Sequence, residues 1–113
     1  METRAIAYDC DGTRLTGYVA DGAPHRKKPA ILVAHEAFGM NDHIRARTRR
    51  LAELGYAAFA LDMYGAEGLS LPEAVSRHVE LMSAPGLMLA RASAAFGVLT
   101  ALPGVDPERT AAI

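Results

Sequence analysis

The fold of this chain is decided by residues 30–61, which read AILVAHEAFGMNDHIRARTRRLAELGYAAFAL. The stretch begins with a continuous apolar run, Ala30–Ala34, and ends with a second one, Tyr56–Leu61. Strands that are apolar on both faces are typical of a parallel sheet covered on both sides. The spacing of the two runs leaves room for one crossover helix. The stretch therefore predicts a β-α-β unit, for which a right-handed crossover is expected.

The segment between these two strands predicts an amphipathic helix. Asn41 or Asp42 can cap its start, and Gly55 stands where a helix ends. All four of its arginines fall outside the apolar stripe, and no aromatic residues alternate with them. We therefore interpret them as a solvated face rather than a nucleic-acid site. The stripe consists of Ile44, Thr48, Leu51 and Ala52, and the arginines are Arg45, Arg47, Arg49 and Arg50.

The regions on either side of this unit contain further elements. Residues 4–9 and 14–20 predict two strands, and Asp11-Gly12 between them is a strong signal for a hairpin turn. Further along, the sequence from Ser70 to Glu73 is a capping box that opens a helix. Another helix is predicted over residues 87–102.

The last residues indicate how the domain is organised. Residues 105–109 predict a turn, and residues 110–113 predict the start of another buried strand. Because strands usually run for about 5–6 residues, we expect residues 1–113 to be the N-terminal part of a single domain that continues beyond Ile113. The predicted class is α/β. It comprises a mostly parallel sheet with flanking helices, here incomplete: an N-terminal hairpin, the β-α-β unit, two further helices and the start of the next strand.

Composition excludes several classes of function. Lys+Arg 12 against Asp+Glu 13 gives a net charge of −1, so no global field selects nucleic acid or an anionic membrane as a partner. The single cysteine, Cys10, excludes an internal disulfide and a metal cage built only from cysteines. No apolar run approaches the ~20 residues of a membrane span, and the first residues lack a signal-peptide pattern. We expect a cytoplasmic location, and the oligomeric state is not predicted.

The best candidate for a site is the turn after the first buried strand, where His35 and Glu36 stand. Ligands of open α/β sheets bind outside the carboxyl ends of the strands. Burying an unpaired carboxylate costs several kcal/mol, so we expect Glu36 either to have a partner or to have a raised pKa. The zinc motif His-Glu-x-x-His is not met, because its second His would fall on Gly39. We therefore predict no metal. The alternative is that both side chains only satisfy backbone groups of the turn.

The sequence contains no recognisable nucleophile. A nucleophile elbow needs Gly-x-Ser-x-Gly around its serine, and none of the four serines has these surroundings. They are Ser70, Ser76, Ser83 and Ser93.

Three segments carry a resemblance to a known family: residues 29–41 (PAILVAHEAFGMN), 54–57 (LGYA) and 61–65 (LDMYG). Together they resemble the dienelactone hydrolase family of the α/β-hydrolase fold, and residues 105–111 look like that family's entry into the strand before the nucleophile. The resemblance implies a hydrolase of small-molecule esters or lactones. Such an enzyme uses a Cys or Ser, an Asp and a His as a triad, and it needs no metal or organic cofactor.

The resemblance also implies roles for particular residues. Glu36 matches an active-site glutamate that interacts with the nucleophile, the N–H of Ala37 matches a donor of the oxyanion hole, and Phe38 would line the pocket wall. The nucleophile and the triad Asp and His belong to sequence beyond Ile113, so the chain alone is predicted to be inactive. The family's topology also places the strand that begins at 110 beside strand 30–34. None of the chain's histidines (His25, His35, His43 and His78) is predicted to be the triad His.

Two other functions remain open from the sequence. One is a non-catalytic binding or interaction module built on an α/β-hydrolase-like fold, and the other is a general carboxylesterase. Glu36 favours the dienelactone hydrolase type, because many other α/β-hydrolases carry glycines in that turn. Arg77 could pair with a substrate carboxylate if its helix lines the site.

Overall fold

The structure is a computed structural model that describes all residues from Met1 to Ile113. Its elements are β1 (Glu2–Cys10), β2 (Thr13–Asp21), β3 (Lys28–Val33), α1 (Asp42–Glu53), β4 (Ala57–Ala60), α2 (Leu71–Ser83), α3 (Leu87–Ala101) and β5 (Val105–Ala112). The five strands form one sheet in the order β1-β2-β4-β3-β5, which carries the three helices. β3 is parallel to β4 and β5, whereas β2 is antiparallel to both of its neighbours. The chain thus has the mixed sheet with flanking helices of the predicted α/β class.

The β1–β2 hairpin turns at the predicted dipeptide. Asp11 has a φ of 48° and Gly12 a φ of 86°. A two-residue turn whose twist matches that of its strands needs positive φ at both central positions. Asp and Gly tolerate this conformation, and Cys10 therefore pairs directly with Thr13.

The core lies on both faces of the sheet, and β3 shows why its sequence is apolar throughout. Ala30 and Leu32 belong to the cluster that packs against α3. Ile31 and Val33 belong to the cluster on the other face, which packs against α1 through Ile44. Because successive strand residues point to opposite faces, a strand between two helix layers needs apolar residues at every position.

The helix starts follow the predicted capping residues. Asn41 is the N-cap of α1, and its side chain accepts the Ile44 N–H at 3.0 Å. Ser70 and Glu73 form both halves of the capping box of α2. These contacts satisfy N–H groups that have no partner inside a helix.

Helix α2 is the least covered helix of the fold. Only Ala74 and Leu81 are buried on it, although its sequence repeats apolar residues at helical spacing. The exposed ones are Leu71, Val75, Val79 and Met82. No single helix is long and apolar enough to cross a membrane; α2 and α3 reach that length only as a pair, with a 97° bend between them.

The prediction of a turn over residues 105–109 is wrong. These residues belong to β5, which pairs in parallel with β3 as the resemblance implied. The pairing is irregular, since Lys28 faces Val105 whereas Ala30 faces Thr110. Pro107 has no N–H to donate, and Asp106 accepts the Glu108 N–H at 3.1 Å. The sequence signals for a turn therefore mark a bulge within the strand.

Candidate active site

The loops that follow β3 and β4 meet at one edge of the sheet. Because these two strands are parallel neighbours, their carboxyl ends open in the same direction, where α/β folds bind ligands. A cavity of about 230 Å³ lies there, between the two loops and the facing sides of α2 and α3. Its walls are Ala34, His35, Glu36 and Ala37 after β3, Met63 and Tyr64 after β4, and His78, Leu81 and Met88 on the helices.

Glu36 lies in this cavity wall with its side chain exposed. None of the chain's ion pairs or hydrogen bonds involves its carboxylate. The expectation that Glu36 is buried and needs a partner is therefore wrong, because the side chain projects from the end of the strand into open space. Solvent can hydrate the carboxylate there, and it remains available to a group in the cavity.

The main chain around Ala37 presents an N–H group without an acceptor. No backbone or side-chain oxygen of this chain takes the Ala37 N–H. The carbonyls on either side are both occupied: the Glu36 carbonyl accepts the Gly39 N–H at 3.0 Å, and the Ala37 carbonyl accepts the Tyr64 hydroxyl at 2.8 Å. Both carbonyls of the turn thus accept hydrogen bonds from this chain, whereas the Ala37 N–H stays unbonded at the cavity wall.

Phe38 follows in the same turn but lies elsewhere. Its side chain is 55% exposed and does not border the cavity. Its assignment to the pocket wall remains a prediction.

His35 joins the two loops. Its Nε2 accepts the Met63 N–H at 3.0 Å, and its Nδ1 lies 2.7 Å from the Glu36 carbonyl oxygen. The ring also packs against that of Tyr64, with 4.9 Å between centroids. Both nitrogens therefore have backbone partners. The Glu36 carbonyl lies in the turn itself, as the alternative interpretation proposed, whereas the Met63 N–H belongs to the loop after β4.

The loop after β4 is anchored by three charged side chains. Asp62 accepts the N–H groups of Tyr64 and Gly65, each at 2.9 Å. Arg77 donates to the Tyr64 carbonyl at 2.8 Å, so its guanidinium is bonded within the protein and does not border the cavity. Arg91, which is 7% exposed, donates to the Met63 carbonyl.

Two residues of the cavity wall, Tyr64 and His78, were not predicted from the sequence. Tyr64 is 2% exposed, and burial raises the pKa of its phenol. His78 lines the cavity from α2, together with Leu81. A signal for Tyr64 existed, because it follows the second buried strand at the same sheet edge. The position of His78 depends on how α2 folds back, and its apolar periodicity gave no such signal.

A larger cavity, of about 450 Å³, lies on the α1 side of the loop after β4. Two of its charged lining residues, Arg45 and Glu67, are ion-paired to each other, and its lining includes neither His35 nor Glu36. Arg45 also pairs with Asp42 at 2.8 Å, so part of the basic face of α1 is neutralised locally. No three His, Cys, Asp or Glu side chains come close enough together to hold a metal ion.

The mixed sheet between two helix layers, with a site after its central parallel strand, defines the class of this protein as an α/β-hydrolase fold. A family model described as the dienelactone hydrolase family matches residues 15–113. The chain therefore belongs to the dienelactone hydrolase family.

Relatives and solved structures agree with this assignment. A Saccharolobus solfataricus protein named as a carboxymethylenebutenolidase is 41% identical over 61 residues, which cover 54% of this chain and 23% of the relative. A Synechocystis protein of the same name is 28% identical over 120 residues, covering 100% of this chain and 49% of the relative. The solved structure of P91, a dienelactone hydrolase-like promiscuous phosphotriesterase from metagenomic libraries, superposes with a TM-score of 0.90 at 36% identity. That match covers 98% of this chain and 47% of P91.

The Synechocystis and P91 matches cover nearly all of this chain but a smaller share of the other protein. The chain spans about half the length of the relatives that it matches along its whole length.

Proposed function

We propose that residues 1–113 are the N-terminal part of a single-domain hydrolase that cleaves ester or lactone bonds of small molecules by nucleophilic acyl transfer. The observation that carries the proposal is the unaccepted N–H of Ala37 beside Glu36, at the carboxyl end of β3 and in a cavity wall. Backbone donors aimed at a developing oxyanion stabilise acyl transfer by a few kcal/mol each. Membership of the dienelactone hydrolase family supports the reaction class.

In this mechanism the nucleophile is a Cys or Ser located after Ile113. Its sulfur or oxygen gives its proton to the triad His and attacks the acyl carbon. The carbonyl electron pair moves to the carbonyl oxygen, which the Ala37 N–H stabilises. Collapse of this intermediate expels the alkoxide, which takes its proton from the triad His. Water then gives a proton to the same His and attacks the acyl-enzyme. The second tetrahedral intermediate expels the sulfur or oxygen of the nucleophile, which takes that proton back from the His as the acid is released.

Glu36 and Phe38 have separate roles in this proposal. Glu36 interacts with the nucleophile, as its exposed, unpaired carboxylate allows. Phe38 contacts the substrate or the remainder of the domain, for which its 55% exposure leaves room. No cofactor, metal, nucleic acid or membrane enters the mechanism.

The 113 residues alone are proposed to be inactive, because the cavity is lined by no Ser, Thr or Cys. Cys10, the chain's free cysteine, is buried at the hairpin end of β1 and does not border the cavity. The acyl carbon therefore meets no Ser or Thr hydroxyl and no Cys thiol in this cavity.

The test is an ester and lactone assay on two proteins: this chain, and the product of the whole natural reading frame. We expect turnover only from the longer protein, and we expect Glu36→Gln in it to lower kcat. Comparable turnover by the 113 residues would contradict the proposal, as would a longer protein that hydrolyses no ester or lactone. Because P91 is a promiscuous phosphotriesterase, a phosphotriester belongs in the same substrate panel.

A further inference from the structure

The orientation of a backbone N–H is decided by the carbonyl of its own peptide unit. The chain contains no cis peptide bond, and in a planar trans unit the C=O and N–H point in opposite directions. The N–H of Ala37 belongs to the same unit as the carbonyl of Glu36. Hydrogen bonds to the Glu36 carbonyl therefore set the direction in which the Ala37 N–H points.

Two donors reach that carbonyl. One is the Gly39 N–H within the turn, at 3.0 Å, and the other is Nδ1 of His35, at 2.7 Å. Because Nε2 of His35 accepts the Met63 N–H, Nε2 carries no proton. A neutral imidazole then has its proton on Nδ1, and Nδ1 donates it to the Glu36 carbonyl.

The next peptide unit is held from the opposite loop. The Tyr64 hydroxyl donates to the Ala37 carbonyl at 2.8 Å, and 27 positions separate these residues in the chain. The Tyr64 and His35 rings also pack against each other. The two units that flank Ala37 are thus each bonded to an aromatic side chain.

Both aromatic side chains are themselves held in place. Arg77 bonds to the Tyr64 carbonyl, and Arg91 bonds to the Met63 carbonyl beside the N–H that His35 accepts. The Asp62 carboxylate fixes the start of the same loop. The contacts of His35 and Tyr64 with the peptide units around Ala37 are called the clamp below. The clamp therefore rests on a loop whose backbone groups are already hydrogen-bonded.

We propose that His35 and Tyr64 are positioning residues that together fix the Ala37 peptide as an oxyanion donor, with His35 acting as the neutral Nδ1–H tautomer and not as an acid or base. The proposal rests on the proposed function for its catalytic consequence. Its structural part concerns these residues alone, so each part has a separate readout.

The structural part is tested by NMR on the protein from the whole reading frame. The nitrogen shifts of His35 should report a protonated Nδ1 and an unprotonated Nε2 at neutral pH. The Met63 amide should exchange slowly with solvent, and in His35→Ala it should exchange rapidly. His35→Gln supplies a side-chain oxygen that can accept the same N–H, so it should restore part of the protection. A protonated Nε2, or Met63 exchange that is equally slow in His35→Ala, would overturn the clamp.

The catalytic part uses the protein from the whole reading frame. Loss of the Tyr64 hydroxyl in Tyr64→Phe should lower kcat by about tenfold to a hundredfold, as small misplacements of catalytic groups do, while KM stays close to its wild-type value. His35→Ala should behave similarly, and His35→Gln should recover part of kcat. The matched control is Tyr18→Phe, which removes a hydroxyl that contacts Arg49 and does not border the cavity.

The outcomes separate the two proposals. An unchanged kcat in both Tyr64→Phe and His35→Ala, in a protein that hydrolyses esters, would overturn the positioning role. A wild-type protein without any hydrolase activity would overturn the proposed function instead, and the tautomer and exchange of His35 and Met63 would then decide the clamp.

Discussion

The carboxylate of Asp62 accepts the main-chain N–H of Thr16 at 2.9 Å, although 46 positions separate the two residues. This bond ties β2 to the loop that follows β4. With the N–H groups of Tyr64 and Gly65, Asp62 accepts three backbone donors and is only 4% exposed. An ionised carboxylate accepts on both oxygens and donates on neither, which suits this position.

Asp62→Asn should therefore destabilise the protein by about 1–3 kcal/mol, because an amide group would face a donor and leave one N–H unsatisfied. Urea unfolding measures the change in the free energy of unfolding. The control is Asp9→Asn, since Asp9 accepts only the exposed Gly12 N–H in the hairpin. Equal losses in the two variants would contradict the role of burial.

The buried ammonium of Lys28 leads to a second prediction. Lys28 is 2% exposed and lies 3.1 Å from the Asp21 carboxylate. Its Nζ also donates to the carbonyls of Ala23, Arg26 and Pro103. These bonds join the loop before β3 to the end of α3.

Lys28→Met should destabilise the protein by about 2–4 kcal/mol, somewhat below the usual cost of breaking a buried pair because Asp21 keeps some contact with water. Thermal and chemical unfolding measure this loss. Lys27→Met, at the exposed neighbouring position, should change stability by less than about 0.5 kcal/mol. A Lys28→Met variant as stable as Lys27→Met would show that the pair and its three carbonyl bonds contribute nothing net.

Tyr8 gives a prediction about alkaline pH. Burial raises the pKa of Tyr8 to about 12, against the opposing hydrogen bond from the Asp62 main chain. Because the folded-state pKa lies above the unfolded value of 10.0, this contribution to stability is complete below about pH 10 and is lost as the pH rises through about 12. Stability measured across this range should fall less steeply in Tyr8→Phe than in the wild type. Parallel curves would contradict the raised pKa.

Replacing each of two glycines inside regular elements by alanine should change the stability of the protein in opposite directions. On β2, a Cβ at Gly17 would overlap the ring of Phe59, and overpacking of this kind costs about 1–3 kcal/mol. On α3, a Cβ at Gly97 would meet no atom within 4 Å, and Gly→Ala inside a helix stabilises by about 0.5–1 kcal/mol. Thermal unfolding should show Gly17→Ala below the wild type and Gly97→Ala above it. The same sign for both variants would contradict the packing around Gly17.

Much of the fold was predictable because its signals are local. The turn at Asp11-Gly12, the cap at Asn41 and the capping box from Ser70 each depend on neighbours within about four positions. The turn predicted around Pro107 was wrong for the same reason. Local residues disfavour a regular strand there, but pairing with β3 extends the strand across the irregularity.

The candidate site was predictable only in part. Its location followed from the end of a buried strand, and the structure places His35, Glu36 and Ala37 in one cavity wall. The expected partner of Glu36 is absent from this chain because exposure removes the need for one. Tyr64 and His78 were missed, since their distance from the turn depends on how separate elements pack.

The sequence by itself determined the order of the elements, the β-α-β unit and the residues that begin its helices, because periodicity and capping act between near neighbours. Only the tertiary structure decided which groups meet at the site: the His35 ring with the Met63 N–H, the Tyr64 hydroxyl with the Ala37 carbonyl, and Asp62 with Thr16. These contacts join residues 27 to 46 positions apart. Their geometry is set by how parallel strands bring two loops to one edge, and no local pattern contains that information.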